Sequence, residues 1–441
     1  MSNDKTRTLT RRNFLARGTI AASAVAMPYF IPASALGLNG TVAPSKRIVM
    51  GAIGLGGRGS SDLNWMIGER DVQFVAVCDV QKSRRDTAKT VVDAKYGNKD
   101  CATYGDLRQL LAERTDVEAV LIATGDRWHS LASVMAMRAG KDVYCEKPAC
   151  LTMAQGQMVV ETARRYGRVF QTGAQRLSEP PHVFAIEMAR TGRLGPIHTA
   201  YADCRWHGGY RRDWLPEQPQ PTKEELDWDL WLGPCAWRPY NGGYLKSGWY
   251  NFHGLATDVA MWGAHTVAQA LAGLDMTNVS SLEFEYAGPE ATMVTRLSNS
   301  VKLVLYRVAG DVWKACQYWH GSCGERFDGP EGWAGAADGD SKPDVSAPAL
   351  LKEYKKVMAE YESRTQRPMN HARDFFNCVR SRRTTVANPE VMYRSMSICL
   401  AADICGQVQR NVTFDLLKSE FVGDPEANRL RLRATRAPFT F

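Results

Sequence analysis

The chain has 441 residues, of which 44% are hydrophobic and 23% charged, and its formal net charge is +8. That length predicts two or three domains of about 150 residues each, and the composition excludes a disordered chain, a collagen-like fibre and a small disulfide-rich protein. Residues 1–35 hold five basic residues and one acidic residue, a balance of +4 that is half of the total. The charge left on the rest of the chain is too small to indicate a nucleic-acid partner, and we expect none.

Residues 1–35 are typical of an export signal. Arg11 and Arg12 stand in Thr-Arg-Arg-Asn-Phe-Leu, which resembles the twin-arginine signal. A short apolar stretch at 18–27 and an Ala-x-Ala pattern within 32–35 follow, as a cleaved signal requires. The apolar stretch is too short to span a bilayer. We therefore expect export by the twin-arginine route, to the periplasm, with no stable membrane insertion after cleavage.

The cysteines indicate a reduced protein. There are eleven, an odd number, and no two of them form a Cys-x-x-Cys pair. Cys78 and Cys145 fall inside apolar, strand-like runs, which is typical of buried core residues. We expect neither a disulfide framework nor a metal site. Twin-arginine export carries folded proteins, which suits a protein that acquires a cofactor in the cytoplasm.

The first predicted strand is 48–53, and the glycine loop Gly54-Leu55-Gly56-Gly57-Arg58-Gly59 follows it directly. This loop fits the pattern G-x-G-x-x-G and leads into a predicted helix over 60–69. A second apolar strand, 74–78, ends at Asp79, which comes 20 residues after the last glycine of the loop. Strand, glycines, helix, strand and terminal acid in this order predict a dinucleotide-binding domain.

Each part of this pattern has a physical role. Gly54 permits the tight turn, Gly56 lets main-chain amides approach a pyrophosphate, and Gly59 lets the helix pack closely on the strand. The helix N-terminus offers unpaired N–H groups and a positive dipole to the phosphates. Asp79 would accept hydrogen bonds from the adenosine ribose, which favours NAD. Three basic residues that could meet a 2′-phosphate leave NADP open, and they are Lys82, Arg84 and Arg85.

Strands and helices continue to alternate after this unit. Strands are predicted at 117–124, 142–145 and 169–172, and helices at 130–139 and 153–166. Such alternation predicts a parallel, doubly wound α/β sheet, whose ligands bind at the carboxyl ends of the strands. The polar residues that fall at these ends are Asp79, Thr124-Gly125-Asp126, Glu146-Lys147 and Gln175-Arg176.

Two motifs carry a family resemblance. Residues 123–129 read Ala-Thr-Gly-Asp-Arg-Trp-His, and residues 140–148 end in Glu-Lys-Pro. Both resemble the Gfo/Idh/MocA family, the glucose–fructose oxidoreductases, inositol dehydrogenases and their relatives. The resemblance extends to the segments 173–176 and 421–424.

The resemblance implies an N-terminal Rossmann domain over 45–175 and a C-terminal α/β domain over 176–441 with a large, mainly antiparallel sheet. It also implies a bound nicotinamide cofactor and a small-molecule carbohydrate substrate. The large sheet often forms the oligomer interface in this family, so we expect a homo-oligomer, either a dimer or a tetramer.

The pattern changes after about residue 195. Strand-like segments without helices between the last three predict antiparallel pairing, at 197–206, 279–286, 291–297 and 301–309. Residues 321–346 are rich in Gly, Asp and Pro and predict a surface loop, either a lid or an oligomer contact. Residues 389–408 predict a long helix that packs against the other domain.

Half of the twelve tryptophans lie within 205–252, interleaved with tyrosines and charged residues. Aromatic faces beside hydrogen-bonding groups suit a carbohydrate, because rings cover its apolar C–H face. We expect most of these aromatic residues to attach a long loop to the sheet. Trp206 is the one that we predict in the substrate site.

Oxidising a secondary alcohol requires hydride transfer to a nicotinamide and removal of the hydroxyl proton. The family pattern places the lysine of Glu-Lys-Pro, here Lys147, close to both reacting groups, where it would stabilise alkoxide charge. Many relatives carry Asp-Trp-Gly-Ala-His, in which His265 matches but Met261 replaces the acid. Either His265 acts as the base without that partner, or Asp258 replaces the acid from seven residues earlier, on roughly the same helical face. His253 is a further candidate.

The predicted site residues form two sets. The cofactor-binding set is Gly54, Leu55, Gly56, Gly57, Arg58, Gly59, Asp79, Thr124, Trp128, His129, Glu146 and Lys147. The substrate-binding set is Lys147, Gln175, Arg176, Trp206, His253 and His265.

The sequence thus predicts an NAD(P)-dependent oxidoreductase acting on a sugar, polyol or sugar derivative. A first alternative is a glycoside hydrolase or lyase that uses tightly bound NAD for a transient oxidation. Export favours that alternative, because free NAD is scarce outside the cytoplasm. A second alternative is a non-catalytic sugar-binding protein, since a fold does not fix a function.

Overall fold

The computed structural model describes residues 42–204, 213–246, 249–252, 254–288, 291–306 and 321–440. The chain forms two compact units, Met1–Arg47 and Ile48–Phe441. The described part of the first unit holds one 3₁₀ turn, Pro44–Lys46, and the predicted export signal lies outside the described residues. No helix within the described ranges combines the length and the hydropathy needed to cross a membrane.

A six-stranded parallel sheet, in the order β3-β2-β1-β4-β5-β6, opens the second unit. Its strands are β1 (Ile48–Ile53), β2 (Val72–Cys78), β3 (Ala102–Tyr104), β4 (Ala119–Ile122), β5 (Asp142–Cys145) and β6 (Phe170–Thr172). The connecting helices are α1 (Gly57–Met66), α2 (Lys82–Tyr96), α3 (Leu107–Glu113), α4 (Asp126–Arg138) and α5 (Met153–Tyr166). Alternate residues of β4 fall in two separate cores, Ala119 and Leu121 in one and Val120 and Ile122 in the other. Both faces of the sheet are therefore covered, and the predicted doubly wound sheet is confirmed.

Two helices begin earlier than the sequence predicts. α1 begins at Gly57 and not at Ser60, and α4 begins at Asp126 and not at Ser130. Glycine is unfavourable inside a helix, so the sequence pattern predicts that α1 begins after the glycine loop. In the structure the loop itself supplies the first turn. Asp126 in the first turn of α4 interacts favourably with the helix dipole.

A nine-stranded sheet follows, in the order β13-β12-β11-β7-β10-β9-β8-β14-β15. Its strands are β7 (Thr199–Asp203), β8 (Ser281–Glu285), β9 (Met293–Leu297), β10 (Lys302–Tyr306), β11 (Glu325–Gly329), β12 (Gly332–Ala336), β13 (Asp344–Val345), β14 (Val412–Asp415) and β15 (Glu420–Phe421). β7 and β10 pair in parallel, and the other neighbouring strands pair antiparallel. The mainly antiparallel sheet is confirmed.

The prediction of a surface loop over 321–346 is wrong, because β11, β12 and β13 lie within it. Two of its glycines lie where the main chain of a neighbouring segment comes close. A side chain on Gly329 would overlap the carbonyl oxygen of Leu194, and a Cβ on Gly335 would lie 2.5 Å from that of Glu325. Glycine here permits close packing within a sheet, whereas the composition suggested a loop.

The remaining helices pack on the sheets. They are α6 (Pro180–Arg190), α7 (Trp228–Leu232), α8 (Ala260–Gly273), α9 (Pro348–Leu351), α10 (Tyr354–Thr365), α11 (His371–Ser381), α12 (Pro389–Val408) and α13 (Pro425–Arg429). The long helix α12 packs against α5 of the Rossmann domain and α8 of the second domain. Each crossing uses a glycine: a Cβ on Gly156 would lie 2.9 Å from the Tyr393 ring, and one on Gly263 would lie 2.8 Å from Cys399 Sγ. α12 therefore ties the two domains together.

Candidate active site

The glycine loop has a conformation that only glycine supports. Gly54 has φ of +83°, and a Cβ there would lie 2.5 Å from the main-chain nitrogen of Thr124. A side chain on Gly59 would overlap the carbonyl oxygen of Gly54. α1 begins at Gly57 with Gly56 as its N-cap and no capping side chain, so its first amides and its positive end are available to a ligand. This cradle fits a pyrophosphate.

Asp79 lies at the end of β2 and joins the glycine loop. Its Oδ2 accepts a hydrogen bond from the main-chain nitrogen of Leu55 at 2.7 Å, and its Oδ1 accepts one from Gln81 at 2.8 Å. Burial raises the pKa of this carboxyl, and the two amides oppose that rise. Asp79 therefore fixes the shape of the loop with the same carboxylate oxygens that would accept hydrogen bonds from the ribose hydroxyls.

The three basic residues after Asp79 have different surroundings. Lys82 pairs with Asp86 at 2.6 Å on the surface. Arg85 donates to the main-chain carbonyl of Asp79 at 2.9 Å. Arg84 lines the cavity beside the glycine loop, and its Nη1 lies 3.3 Å from where a Cβ on Gly56 would stand. Of the three, Arg84 is the one placed to meet a group on the adenosine ribose.

A cavity of about 410 Å³ lies at the carboxyl edge of the Rossmann sheet. On one side it is lined by the glycine loop and by the ends of β2 and β4, including Asp79, Thr124 and Trp128. Aromatic residues of the second domain line the other side, and these are Trp231, Tyr244, Trp249 and Tyr250. Part of the aromatic segment thus faces the dinucleotide cavity, whereas the sequence analysis assigned it to the sheet or to a sugar.

The first turn of α4 joins this cavity to the sheet. Trp128 lines the cavity. His129 is buried, and its ring nitrogens lie 2.8 Å from the carbonyl oxygen of Pro148 and 2.9 Å from that of Thr124. The structure therefore places Trp128 where a cofactor would contact it, and it places His129 between the ends of β4 and β5.

Glu146 is held by several donors. Gln175 Nε2 donates to Glu146 Oε1 at 2.7 Å and also contacts the Tyr144 hydroxyl at 3.0 Å. Arg58, from the glycine loop, lies 3.1 Å from Glu146 and 2.9 Å from Asp62. Burial and the neighbouring Glu146 raise the pKa of the Asp62 carboxyl. The network connects the end of β5 to the glycine loop, and the sequence analysis missed Asp62.

Lys147 follows Glu146 and reaches the second domain. Its Nζ donates to the main-chain carbonyl of Met261 at 2.9 Å and lies 5.4 Å from the centre of the Trp262 ring. His265, one turn further along α8, is 3% exposed. Its Nδ1 has no hydrogen-bond partner among the described residues. Burial lowers the pKa of His265 well below its ordinary value, and the nearby Lys147 and Arg176 lower it further. Lys147 therefore lies near enough to His265 to affect its pKa, and the catalytic roles of the two residues stay a prediction.

The placement of Asp258 on the helical face of His265 is wrong. α8 begins at Ala260 with Val259 as its N-cap, so Asp258 precedes the helix. The main-chain nitrogen of Val259 instead donates to the Asp403 carboxylate of α12 at 3.2 Å. The seven-residue spacing therefore carries no information about a shared face. Trp206 and His253 lie outside the described residues.

Asp126 is a second buried carboxyl that the sequence analysis gave no role. It lies in the first turn of α4 and is 5% exposed. Burial raises its pKa to about 7, while Lys147, Arg127 and the main-chain amide of Thr257 oppose that rise. Its position after the end of β4 was the only sequence signal for a role of Asp126. The burial of its carboxyl, however, depends on contacts with the second domain, which the sequence does not show. Asp126 places a titratable group beside Lys147.

Arg176 forms an ion pair across the second domain. Its guanidinium lies 2.7 Å from Asp338, just after β12. Asp338, Glu179 and His182 place possible metal-ligand atoms within 4.8 Å of one another. His182 Nδ1, however, already contacts Glu325 at 2.7 Å. Within this group, His182 is therefore already paired with Glu325, and Arg176 with Asp338.

Two family models match the chain. The model of the Gfo/Idh/MocA oxidoreductase family for the NAD-binding Rossmann fold matches residues 48–174. The model of the same family for the C-terminal alpha/beta domain matches residues 346–441. The matches fall on the two domains that carry the cavity and the large sheet.

Curated relatives differ in activity at similar identity. Inositol 2-dehydrogenase of Salmonella typhimurium (strain LT2) is 32% identical over 194 residues, which are 41% of this chain and 53% of that protein. Alpha-N-acetylgalactosaminidase of Shewanella oneidensis is 31% identical over 183 residues, 40% of each chain. The chain spans about half the length of the curated relatives that it matches.

A solved structure shares the fold. The WlbA dehydrogenase of Chromobacterium violaceum, in complex with NADH and UDP-GlcNAcA, superposes with a TM-score of 0.59 at 15% identity. The match covers 85% of this chain and 98% of that one.

Proposed function

The chain belongs to the Gfo/Idh/MocA oxidoreductase family, with its NAD-binding Rossmann domain and its C-terminal α/β domain, and we propose that it transfers a hydride between a bound nicotinamide cofactor and a secondary alcohol of a sugar, polyol or sugar derivative. One observation carries the proposal. Lys147, just after β5, bonds the main-chain carbonyl of Met261 on α8 and is near enough to the buried His265, one turn further along, to lower its pKa. Glu146, next to Lys147, is bonded to Arg58 of the cavity lining.

The two residues have complementary chemistry. When bound, a nicotinamide supplies the hydride acceptor. The Lys147 ammonium donates to the substrate oxygen and stabilises the negative charge that develops there. His265 accepts the hydroxyl proton at Nδ1, which has no partner in the described part of the chain. Its lowered pKa keeps the imidazole neutral and ready to accept a proton.

The test begins with the cofactor. Purified protein is denatured and any released nucleotide is identified by mass, and the protein is then assayed with free sugars, polyols and glycosides at about 340 nm, where reduced nicotinamide absorbs. We expect a nicotinamide dinucleotide and a spectral change with at least one carbohydrate. A protein that neither retains nor binds NAD or NADP would overturn the proposal. Binding of a carbohydrate without turnover, unchanged in Lys147→Ala, would favour a non-catalytic sugar-binding protein.

A second candidate is glycoside cleavage through a transient oxidation with retained NAD. The similarity to the Shewanella enzyme, at almost the same identity as to the dehydrogenase, favours it. So does Met261, which replaces the acid that many relatives carry four residues before the histidine, so that the proton chemistry at His265 differs. Mass balance separates the two functions. Cleavage without net NADH or an oxidised sugar indicates the second function, and stoichiometric NADH indicates the first.

We also propose NAD as the cofactor, because Asp79 lies at the end of β2 beside the cavity. NADP is the alternative, because Arg84 lines the same cavity and could bind a 2′-phosphate. Measured affinities for NAD and NADP decide between the two cofactors. We further propose twin-arginine export and a homo-oligomer. The N-terminal sequence of the secreted protein tests the first, and its mass in solution tests the second.

A further inference from the structure

Three possible metal ligands meet where α6 begins beside the end of β12. Glu179 is the N-cap of α6, and its side chain makes no capping hydrogen bond. His182 follows three residues later in the first turn, and this spacing places both side chains on one face of the helix. Asp338 comes just after β12. One ligand atom from each of the three residues lies within 4.8 Å of the other two.

His182 is oriented by a carboxylate behind it. The residue is 1% exposed, and its Nδ1 lies 2.7 Å from Glu325 Oε2. Glu325 is buried on β11, and Gln269 Nε2 donates to the same oxygen. Because an ionised carboxylate only accepts hydrogen bonds, Nδ1 carries the proton of the neutral ring and Nε2 carries the lone pair. A metal-binding histidine is usually fixed in this way, by a carboxylate bonded to its other nitrogen.

Nε2 of His182 makes no hydrogen bond to any described residue. Glu179 Oε2 lies 4.0 Å from it, which is too long for a hydrogen bond. A proton on Nε2 would therefore not bridge the two atoms. A metal ion with bonds of about 2.0–2.2 Å to each of them would fit between them. The geometry thus favours a metal ion over a proton at this nitrogen.

The charge around Nε2 also favours a divalent cation. With His182 neutral, the two carboxylate ligands, the Glu325 carboxylate and the guanidinium of Arg176 leave these groups with a formal charge of −2. Asp338 accepts hydrogen bonds from Arg176 at 2.7 Å and from Ser322 at 2.5 Å, through different oxygens. Each oxygen keeps a further lone pair that a metal ion can use.

We propose that Glu179, His182 and Asp338 bind one divalent transition-metal ion. An imidazole with two carboxylates suits Zn²⁺ or Mn²⁺, whereas Mg²⁺ and Ca²⁺ prefer oxygen ligands alone. The Glu179 side chain is 45% exposed, so the ion can enter from solvent and water can complete its coordination. The bound ion joins the start of α6 to the end of β12 and stabilises the folded protein. None of the three ligands is a cysteine, which is why the cysteine pattern of the sequence gave no sign of this site.

The first measurement is metal binding to the full-length protein. The purified protein is freed of metal with a chelator and is then titrated by calorimetry with Zn²⁺ and, separately, with Mg²⁺. We expect about one Zn²⁺ per chain, and binding of Mg²⁺ that is about a hundredfold weaker or more. At a free Zn²⁺ concentration of about 100 times its dissociation constant, the midpoint of thermal unfolding should rise by about 2–4 °C, because the ion binds the folded state.

Variants identify the ligands. Glu179→Gln and Asp338→Asn each remove one charged ligand from a side chain that is only partly buried, so both should fold. Each should bind Zn²⁺ at least about tenfold more weakly than wild type. Glu331→Gln, which removes an exposed carboxylate from the turn between β11 and β12, is the matched control and should bind Zn²⁺ like wild type.

Two results would overturn the proposed metal site. If metal-free wild type bound no Zn²⁺, a proton on His182 would have to satisfy the carboxylates instead. If wild type, Glu179→Gln and Asp338→Asn bound Zn²⁺ with equal affinity, the ion would lie elsewhere in the protein. Either result leaves the proposed hydride transfer intact, because Lys147 and His265 are not ligands of this ion.

Discussion

The main-chain carbonyl of Met261 holds Lys147 at the junction of the two domains, so the ammonium needs no acidic side chain to be positioned. Lys147→Met should lower kcat by about 10²- to 10⁴-fold, because the variant keeps the length of the side chain but stabilises no developing alkoxide. Lys147→Arg keeps the charge and should restore part of the rate. Steady-state kinetics on whichever carbohydrate is turned over, with nucleotide content as the control for folding, checks this. A Lys147→Met enzyme with wild-type kcat would contradict the assigned role.

Asp126 predicts a pH dependence of stability. Its carboxyl has a pKa of about 7 in the folded protein against 3.8 in the unfolded chain, because burial disfavours the charged form. The stability that this group contributes is full below the unfolded value and is lost as the pH rises through about 7. Between about pH 4 and about pH 8, wild type should lose roughly 2–4 kcal/mol more free energy of unfolding than Asp126→Asn.

Urea unfolding at the two pH values measures this difference. Asp116→Asn is the matched control, because Arg114 lowers the pKa of that surface carboxyl, so its removal has the opposite sign. Equal pH dependence in wild type and Asp126→Asn would mean that Asp126 is ionised in the fold and paired with Lys147.

These residues also show where sequence reasoning ends. Gly54 and Asp79 were predictable, because their roles depend on local turn geometry and on a strand end. Asp126 and Asp62 became important only when other parts of the chain buried them. Asp258 was misplaced because α8 begins only at Ala260, where its N-cap Val259 has no capping side chain and no local pattern marks the start. Local geometry is present in sequence patterns, whereas burial and long-range bonds are not.

At the scale of elements, the crossing of α8 and α12 depends on Gly263. A Cβ there would lie 2.8 Å from Cys399 Sγ and 3.1 Å from Cys204 Sγ. Gly263→Ala should therefore destabilise the protein by about 1–3 kcal/mol, because overpacking outweighs the gain in helix propensity. Gly406→Ala, on an exposed part of α12 with nothing within 4 Å of the new Cβ, is the matched control. It should stabilise by about 0.5–1 kcal/mol.

Chemical denaturation of the two glycine variants beside wild type measures both effects. If Gly263→Ala stabilised the protein as Gly406→Ala does, the close approach of α8 and α12 would not be needed. The bounds of α12 were predictable from Asn388-Pro389, a capping residue followed by proline. Its partners α5 and α8 were not predicted residue by residue, because the glycines that admit it, Gly156 and Gly263, carry no signal that a large side chain will face them.

At the scale of the whole molecule, the fold class follows from the alternation of strands and helices, whereas the position of the segment Glu224–Trp231 beside the glycine-loop cavity does not. Lys82 and Arg127 anchor this segment, and they are about 140 and about 100 residues away from the carbonyls that they bond. Composition predicted that most of the aromatic residues attach a long loop to the sheet and that Trp206 lies in a carbohydrate site. In the structure, Trp231 of this segment instead lines the cavity beside the glycine loop.

The same long-range links predict how the second unit unfolds. α12 packs on both domains, and Arg127 and Trp128 of the first domain bond the segment Glu224–Trp231 of the second. Neither domain can therefore unfold without exposing core of the other. Calorimetry should therefore show one transition for the residues from Ile48 onward. Added dinucleotide at about 100 times its dissociation constant should stabilise the whole transition by about 2.7 kcal/mol, since ligand binding to the native state is linked to all of it. Two transitions, of which the dinucleotide moves only one, would show that the domains unfold independently and that α12 and the segment Glu224–Trp231 do not couple them.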